Sequence, residues 1–307
     1  MTGTADLPDG VTVFERGWLS ANNILFTGDG PVGLVDSGYC THAEQTLGMV
    51  QRALAGRPLE LLVNTHLHSD HCGGNAALQA EFPLLRTFIP PGQAEQVRSW
   101  DPVALTYVPT GQLCPRFGIT GVLAPGSEIV LGDQPWQIHA APGHDPHSII
   151  LFEPQSRTLI SADALWESGF GVVFPEMEGE EAFHEVAMTL DLIEQLSPRT
   201  IIPGHGPVFR TVGSALEFAR KRLEGFVANP HKHALHAAKV LLKFKLLELQ
   251  RLKLSDLVGW ARATPYFGLV HQAWFPETPL EQWVVLLAEN LTRSGAAQRE
   301  GEWLLNT

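Results

Sequence analysis

The chain has 307 residues, of which 44% are hydrophobic and 18% charged, enough for one large core and a smaller second one. No apolar run approaches the roughly 20 residues a bilayer span needs, and Met1 to Gly10 has neither a basic start nor an apolar stretch, so no membrane segment and no signal peptide are expected. The net charge of −12 argues against broad nucleic-acid affinity.

Val11-Thr12-Val13-Phe14, Asn23-Ile24-Leu25-Phe26 and Val32-Gly33-Leu34-Val35 are short apolar runs, the last two parted by Gly28-Asp29-Gly30-Pro31. They read as antiparallel strands opening a sheet. His42 to Ala55 has helical spacing, with Leu47, Val50 and Leu54 on one face, Thr41 as N-cap and Gly56 as stop. Leu59 to Val63 reads as a buried strand, and Asn75 to Ala80 as a helix opened by Gly73-Gly74. Leu84 to Ile89 is a further strand. From Pro90 to Pro125 prolines break the pattern repeatedly; such a stretch is either a substrate lid or a surface excursion. Four strands follow, at 128–131, 136–140, 148–152 and 157–160. An acidic amphipathic helix covers 179–196, and Thr200 to Pro203 is a last short strand. Strands and helices in this order suggest a sandwich of sheets with helices outside. Beyond Gly213 the chain reads as helices at 215–227, 233–250, 254–263 and 280–292. A hairpin follows over Gly295 to Leu305, with Arg299 to Glu302 as its turn. Residues 221–307 carry 11 Lys and Arg against 8 Asp and Glu, a net of +3, while residues 1–220 carry a net of −15. This shift sets the domain boundary at 220/221.

The stretch Asn64-Thr65-His66-Leu67-His68-Ser69-Asp70-His71-Cys72-Gly73-Gly74 packs three histidines and an aspartate into six positions on a strand-to-helix loop. Imidazole and carboxylate are common ligands of divalent metals. Three more donors follow strand-like runs: His144 in Pro142-Gly143-His144-Asp145, Asp163 in Ser161-Ala162-Asp163-Ala164, and His205 in Pro203-Gly204-His205-Gly206-Pro207. Loops leaving one edge of a sheet converge, which is how distant sequence completes a metal site.

This pattern resembles the metallo-β-lactamase-fold hydrolase superfamily, whose signature is His-x-His-x-Asp-His followed by separate His, Asp and His residues. The resemblance covers about residues 10–210. It implies an α/β fold, a four-layer αββα sandwich. It further implies that His66, His68 and His144 bind one divalent metal, that Asp70, His71 and His205 bind a second, and that Asp163 bridges them. Asp36 in Asp36-Ser37-Gly38 resembles the aspartate that supports the ligand loop. A bridging aspartate points away from a dedicated β-lactamase and towards the hydroxyacylglutathione hydrolase-like branch. Two nearby divalent ions make a nucleophile of water and polarise an electrophilic oxygen, with Asp70 as steering or proton-shuttling carboxylate. Zinc is the first expectation for both ions; iron and manganese accept the same donors.

The function expected is hydrolysis of an ester-like bond, a thioester or lactone of a small metabolite. The alternatives are phosphodiester hydrolysis on RNA and a non-catalytic sensor. The C-terminal region resembles a small helical, winged-helix-like domain. With apolar residues along 241–249, it reads first as a lid or homodimer element and second as a nucleic-acid element using Lys239, Lys243 and Lys245. Cys40, Cys72 and Cys114 show no CxxC spacing and cannot form an even disulfide framework, so a reducing cytoplasm is the default. His147 reads as a strand start, Cys72 as packing at a helix start, and Tyr39 and Tyr107 as buried aromatics. His231, His233 and His236 read as a polar helix face.

Overall fold

The computed structural model describes residues 7–307. The first sheet has six strands in sequence order: β1 (Val11–Phe14), β2 (Asn23–Phe26), β3 (Gly33–Val35), β4 (Leu61–Val63), β5 (Arg86–Ile89) and β6 (Gly121–Val122). β1 to β3 pair antiparallel and β3 to β6 parallel. The second sheet holds β7 (Glu128–Leu131), β8 (Gln134–Ala140), β9 (Ile149–Glu153), β10 (Thr158–Ala162) and β11 (Thr200–Pro203), ordered β11-β10-β9-β8-β7. Only the β10–β11 pair is parallel.

Period-two alternation decides the layering. Ile24, Phe26, Val35, Leu61 and Val63 of the first sheet share a core with Trp136, Ile138, Ile149, Leu151, Ile160 and Ile202 of the second. The intervening residues face outwards and are also covered. Leu25, Leu34 and Leu62 pack with Val50 and Leu54 of helix Ala43–Leu54 and Leu78 of helix Asn75–Glu81. Ile150, Phe152, Leu159 and Ile201 pack with helices Phe183–Leu196 and Val212–Ala228. Strands β2, β3, β4, β9, β10 and β11 are thus buried on both faces, which is why most of them read as near-continuous apolar runs, while the edge strands β1, β6 and β7 are partly exposed. The result is the expected αββα sandwich.

The C-terminal region has its own core. Helices Pro230–Leu249, Leu254–Ala263, Pro265–Trp274 and Leu280–Arg293 bury Leu241, Leu242, Leu246, Leu257, Phe267 and Trp283 against one another. A small antiparallel sheet closes it, with β12 (Arg251–Lys253), β13 (Ala297–Glu300) and β14 (Trp303–Asn306) ordered β12-β14-β13. Val172 and Met177 of the sandwich belong to this core.

Several local expectations are corrected. Helix Pro265–Trp274 was not expected; Pro265 stands at its first position, where proline is pre-set for a helix. Thr41 is no cap: Cys40–His42 form a 3₁₀ turn, and the following helix ends on Ala55 with φ +51°. The acidic helix begins at Phe183, where Glu176 Oε1 accepts from the backbone N–H groups of Ala182 and Phe183 at 2.7 Å each. In the hairpin only Gly301-Glu302 turn, since Arg299 and Glu300 pair with Leu304 and Trp303.

Candidate metal centre

All seven donor residues lie beyond the C-terminal ends of strands. His66 and His68 sit on the loop after β4, and Asp70 and His71 on the short helix Ser69–Cys72. His144 lies between β8 and β9, Asp163 directly after β10, and His205 after β11. The two sheets are tied together here. Ile149 N donates to Thr65 O at 2.9 Å and Asn22 N to Gly204 O at 2.7 Å, while among the first sheet's own loops Ala21 N donates to Asp70 O at 2.9 Å. The Asn22 side chain donates to Pro203 O at 3.0 Å and Gly206 O at 2.8 Å. A register irregularity in β10 and φ +46° at Ala162 turn the chain into Asp163. Asp36 has φ +57°. Such backbone persists where the surroundings fix it, commonly at functional sites.

The donors gather into two groups, His66, His68 and His144 in one and Asp70, His71, Asp163 and His205 in the other, each with its donor atoms within 4.8 Å of one another. In the first, His68 Nδ1 lies 3.1 Å from His66 Nε2 and 2.8 Å from His144 Nε2. In the second, His205 Nε2 is 3.1 Å and His71 Nε2 3.9 Å from Asp70 Oδ2. Asp163 stands between: Oδ2 is 3.4 Å from His144 Nε2, and Oδ1 is 3.5 Å from His71 Nε2. Trp166 Nε1 donates to Asp163 Oδ1 at 3.1 Å.

Hydrogen bonds behind the histidines set their tautomers. Asp36 accepts from Thr65 N at 2.9 Å, Thr65 Oγ1 at 2.8 Å and His71 Nδ1 at 2.7 Å. Because the Thr65 hydroxyl proton goes to Asp36, its oxygen is left to accept from His66 Nδ1, 3.2 Å away. His144 Nδ1 donates to Val172 O at 2.5 Å. The Nε2 lone pairs of His66, His71 and His144 are therefore free to point inwards. His71 Nε2 is buried there without a hydrogen-bond partner. A divalent cation is the group this donor set fits: converging imidazole lone pairs and carboxylates otherwise repel or go unsatisfied.

The electrostatics divide the donors: His66 and His144 are held neutral, whereas the carboxylates around His71 favour positive charge at that point, the charge a divalent cation would supply in place of a proton. Burial, then neighbouring His71, His68 and His144, hold the His66 pKa well below the ordinary histidine value. Burial and His68 lower His144 to about 4. Burial also opposes charge on His71, but Asp163, Asp36 and Asp70 together outweigh it and raise its pKa well above the ordinary value. For Asp163, burial is outweighed by His71 and His205, which hold its carboxyl well below the usual range.

The centre forms one end of a cavity of about 520 Å³, within the range of small-molecule sites. Trp18 stacks on His205 at 5.3 Å, and Phe174 lies edge-on to His68 at 5.2 Å. Thr106, Thr110 and Gln112 of the irregular 90–125 stretch form one wall, and Val240, Leu241, Phe244 and Tyr266 of the C-terminal region another. Tyr39 joins these walls: its hydroxyl donates to Glu248 at 3.0 Å and accepts from Leu113 N at 3.0 Å.

The structure brings together all seven expected donors and places Asp36 behind them. Tyr39, Tyr107 and Cys72 are buried as expected. His147 lines the cavity. The expected polar face at 231–236 is corrected, because helix Pro230–Leu249 lies against the sandwich: His233 is fully buried and accepts from Val173 N at 3.1 Å, and His236 reaches the cavity. Of the basic strip, Lys243 bonds Ala296 O and Asn306 Oδ1, and Lys245 pairs with Glu248. Trp18, Trp166 and Arg222 were missed, and His236 was assigned to the polar face. Trp166 could have been found as the aromatic three residues after Asp163; the others carry no local signal.

Facing mixed sheets between helices, with His and Asp donors at the strand ends, define a metallo-hydrolase class. The family model of the metallo-beta-lactamase superfamily matches residues 16–205, and the chain belongs to that superfamily. Probable metallo-hydrolase YybB of Bacillus subtilis is 26% identical over 176 residues, covering 57% of this chain and 76% of that protein. A hydroxyacylglutathione hydrolase of Synechococcus sp. is 28% identical over 145 residues, 47% of this chain and 48% of that one. The fold extends over 99% of the chain in the metallo-beta-lactamase family protein TTHA1429 of Thermus thermophilus, all of which is covered, with a TM-score of 0.55 at 20% identity.

Proposed function

We propose that this chain is a binuclear metal-dependent hydrolase of small thioesters or lactones. His66, His68 and His144 would hold one divalent ion, Asp70, His71 and His205 the other, and Asp163 would bridge them. The observation that carries this reading is Asp163, set between two donor groups at the end of a walled cavity. Two bound divalent ions would supply a water-derived nucleophile at neutral pH and polarisation of the scissile carbonyl. The protein's own part is positioning. Asp36, Thr65 and Val172 O fix the imidazole tautomers, and Trp166 orients Asp163. Asp70, hydrogen-bonded to His205, is the carboxylate placed to accept or return a proton at Oδ2. Trp18, Phe174 and the C-terminal wall exclude water from an apolar acyl group.

The lining supports acyl substrates over polyanions. It is apolar in Trp18, Trp166, Phe174, Leu241 and Phe244 and acidic in Asp145, Glu178 and Glu180, which would repel a phosphodiester backbone. The test is turnover by the metal-loaded protein of short-chain thioesters, lactones, a phosphodiester and a β-lactam. Thioester or lactone turnover at least roughly tenfold above the rest is expected, a difference of about 1.4 kcal/mol in the barrier. Turnover confined to the phosphodiester or the β-lactam refutes the reading.

A further inference from the structure

Arg222 stands out among the cavity-lining side chains. It rises from helix Val212–Ala228 into a wall whose other charged groups include Asp70, Asp145, Asp163, Glu178 and Glu180. Among the described residues no carboxylate pairs with its guanidinium. Nη2 donates to His236 Nε2 at 2.7 Å, and Nε is buried without a partner. The guanidinium packs against Phe170 and Phe226, whose ring centroids lie 5.6 and 5.4 Å from Cζ. It also lies close to Gly169, where an added Cβ would come within 2.9 Å of Nη1. Gly169 has φ +118°, a conformation only glycine adopts readily. Two residues on, Gly171 touches the His144 ring, so Arg222 and the donor cluster share one short segment of wall.

A half-buried guanidinium without a counter-charge leaves a desolvation cost that a ligand anion would offset. Its remaining N–H groups match a carboxylate, and packing on the two rings together with His236 sets its orientation before anything binds. His236 contributes as a neutral acceptor: burial, Arg222 and His233 lower its pKa to about 3, so it fixes Nη2 without competing for an anion.

We propose that Arg222, packed against Phe170 and Phe226 and oriented by His236, is the subsite for a carboxylate carried by the substrate, making the preferred substrate an acyl compound with an anionic end away from the scissile bond. This rests on the reading of the cavity as an acyl-substrate site and narrows its substrate class. The cavity's remaining charged lining is largely acidic, so an anionic end finds little attraction elsewhere on the walls. Arg222 positions and selects; the reacting atoms lie at the donor cluster.

Two measurements on the metal-loaded protein test this. The first is binding, read by tryptophan fluorescence, of dicarboxylates of four to eight carbons, each paired with the monocarboxylate of equal length. For the best-fitting length the wild-type chain is expected to prefer the dicarboxylate roughly tenfold or more, and Arg222→Gln to reduce that preference to about twofold or less. Arg222→Lys, which keeps charge but loses the fork, is expected to fall between them. The preference is a ratio within one protein, so partial unfolding does not mimic its loss. The second is turnover of thioesters with and without a terminal carboxylate. Arg222→Gln is expected to raise KM for the anionic member roughly tenfold or more, with kcat and the neutral member little changed. A wild-type chain without the preference, or a preference intact in Arg222→Gln, overturns the proposal even if thioesters are hydrolysed. An Arg222-dependent preference without turnover of any thioester or lactone supports it while refuting the hydrolase reading.

Discussion

Replacing Asp36 by Asn changes one oxygen to an amide nitrogen at the point on which the donor loop hangs. Asn tolerates the left-handed backbone at this position, so the loop keeps its course. The carboxylate accepts three hydrogen bonds, two of them at Oδ2, from Thr65 Oγ1 and His71 Nδ1. An amide has one oxygen. If that oxygen faces His71, its NH₂ meets the Thr65 N–H; if it faces Thr65 N, the NH₂ meets His71 Nδ1–H. Either way a buried donor faces a donor, at a cost of about 1–3 kcal/mol. His71 also loses the charge that favours its Nδ1–H tautomer, the one that leaves Nε2 free. Loss of such an outer partner lowers metal affinity about 10- to 100-fold. Competition with a chromophoric chelator measures that affinity, and thermal unfolding the stability. Affinity within about twofold of wild type, with unchanged unfolding, refutes the argument that Asp36 sets the His71 tautomer.

Two further outcomes follow from the geometry. Gly171→Ala puts a methyl group 2.3 Å from His144 Nδ1, where the ring must move and its bond to Val172 O break; one metal equivalent is expected to weaken at least about tenfold while circular dichroism is unchanged, and wild-type affinity contradicts this. His233 and His236 are held neutral by burial and by Arg222, with pKa values lowered from 6.5 to about 4 and about 3. From pH 6.5 down to those values the unfolded chain binds more protons than the folded one, so their contribution is full at neutral pH and falls with acidity. His236→Gln keeps an acceptor for Arg222 and removes about one such proton. The stability slope below pH 6.5 is expected to flatten by about 1.4 kcal/mol per pH unit, and an unaltered slope contradicts the assignment.

Much of the centre was legible because its chemistry is local. His66, His68, Asp70 and His71 lie within six residues, and His144, Asp163 and His205 each follow an apolar run that alternation makes a strand. The layering was legible from the order of strands and helices along the chain; that Leu25 and Leu34, or Ile150 and Ile201, are covered on the outer faces came only from the structure. The cavity was not legible. His236, Phe244 and Tyr266 join the donors' cavity only through packing of the C-terminal helices on the sandwich, and Arg222 through packing of helix Val212–Ala228, which no spacing encodes. His233 and His236 read as a polar face because their helix is polar in sequence on a side that burial covers. Helix Pro265–Trp274 went unread, although Pro265 stands at its first position, where proline is pre-set for a helix.

The central claim is that two divalent ions act together across Asp163. Metal content per chain and turnover, measured in parallel for the wild-type protein and Asp163→Ala, test it directly. Two equivalents and full activity are expected in the first, and fewer than two equivalents with activity lost in the second. Unchanged turnover in Asp163→Ala would contradict the binuclear account.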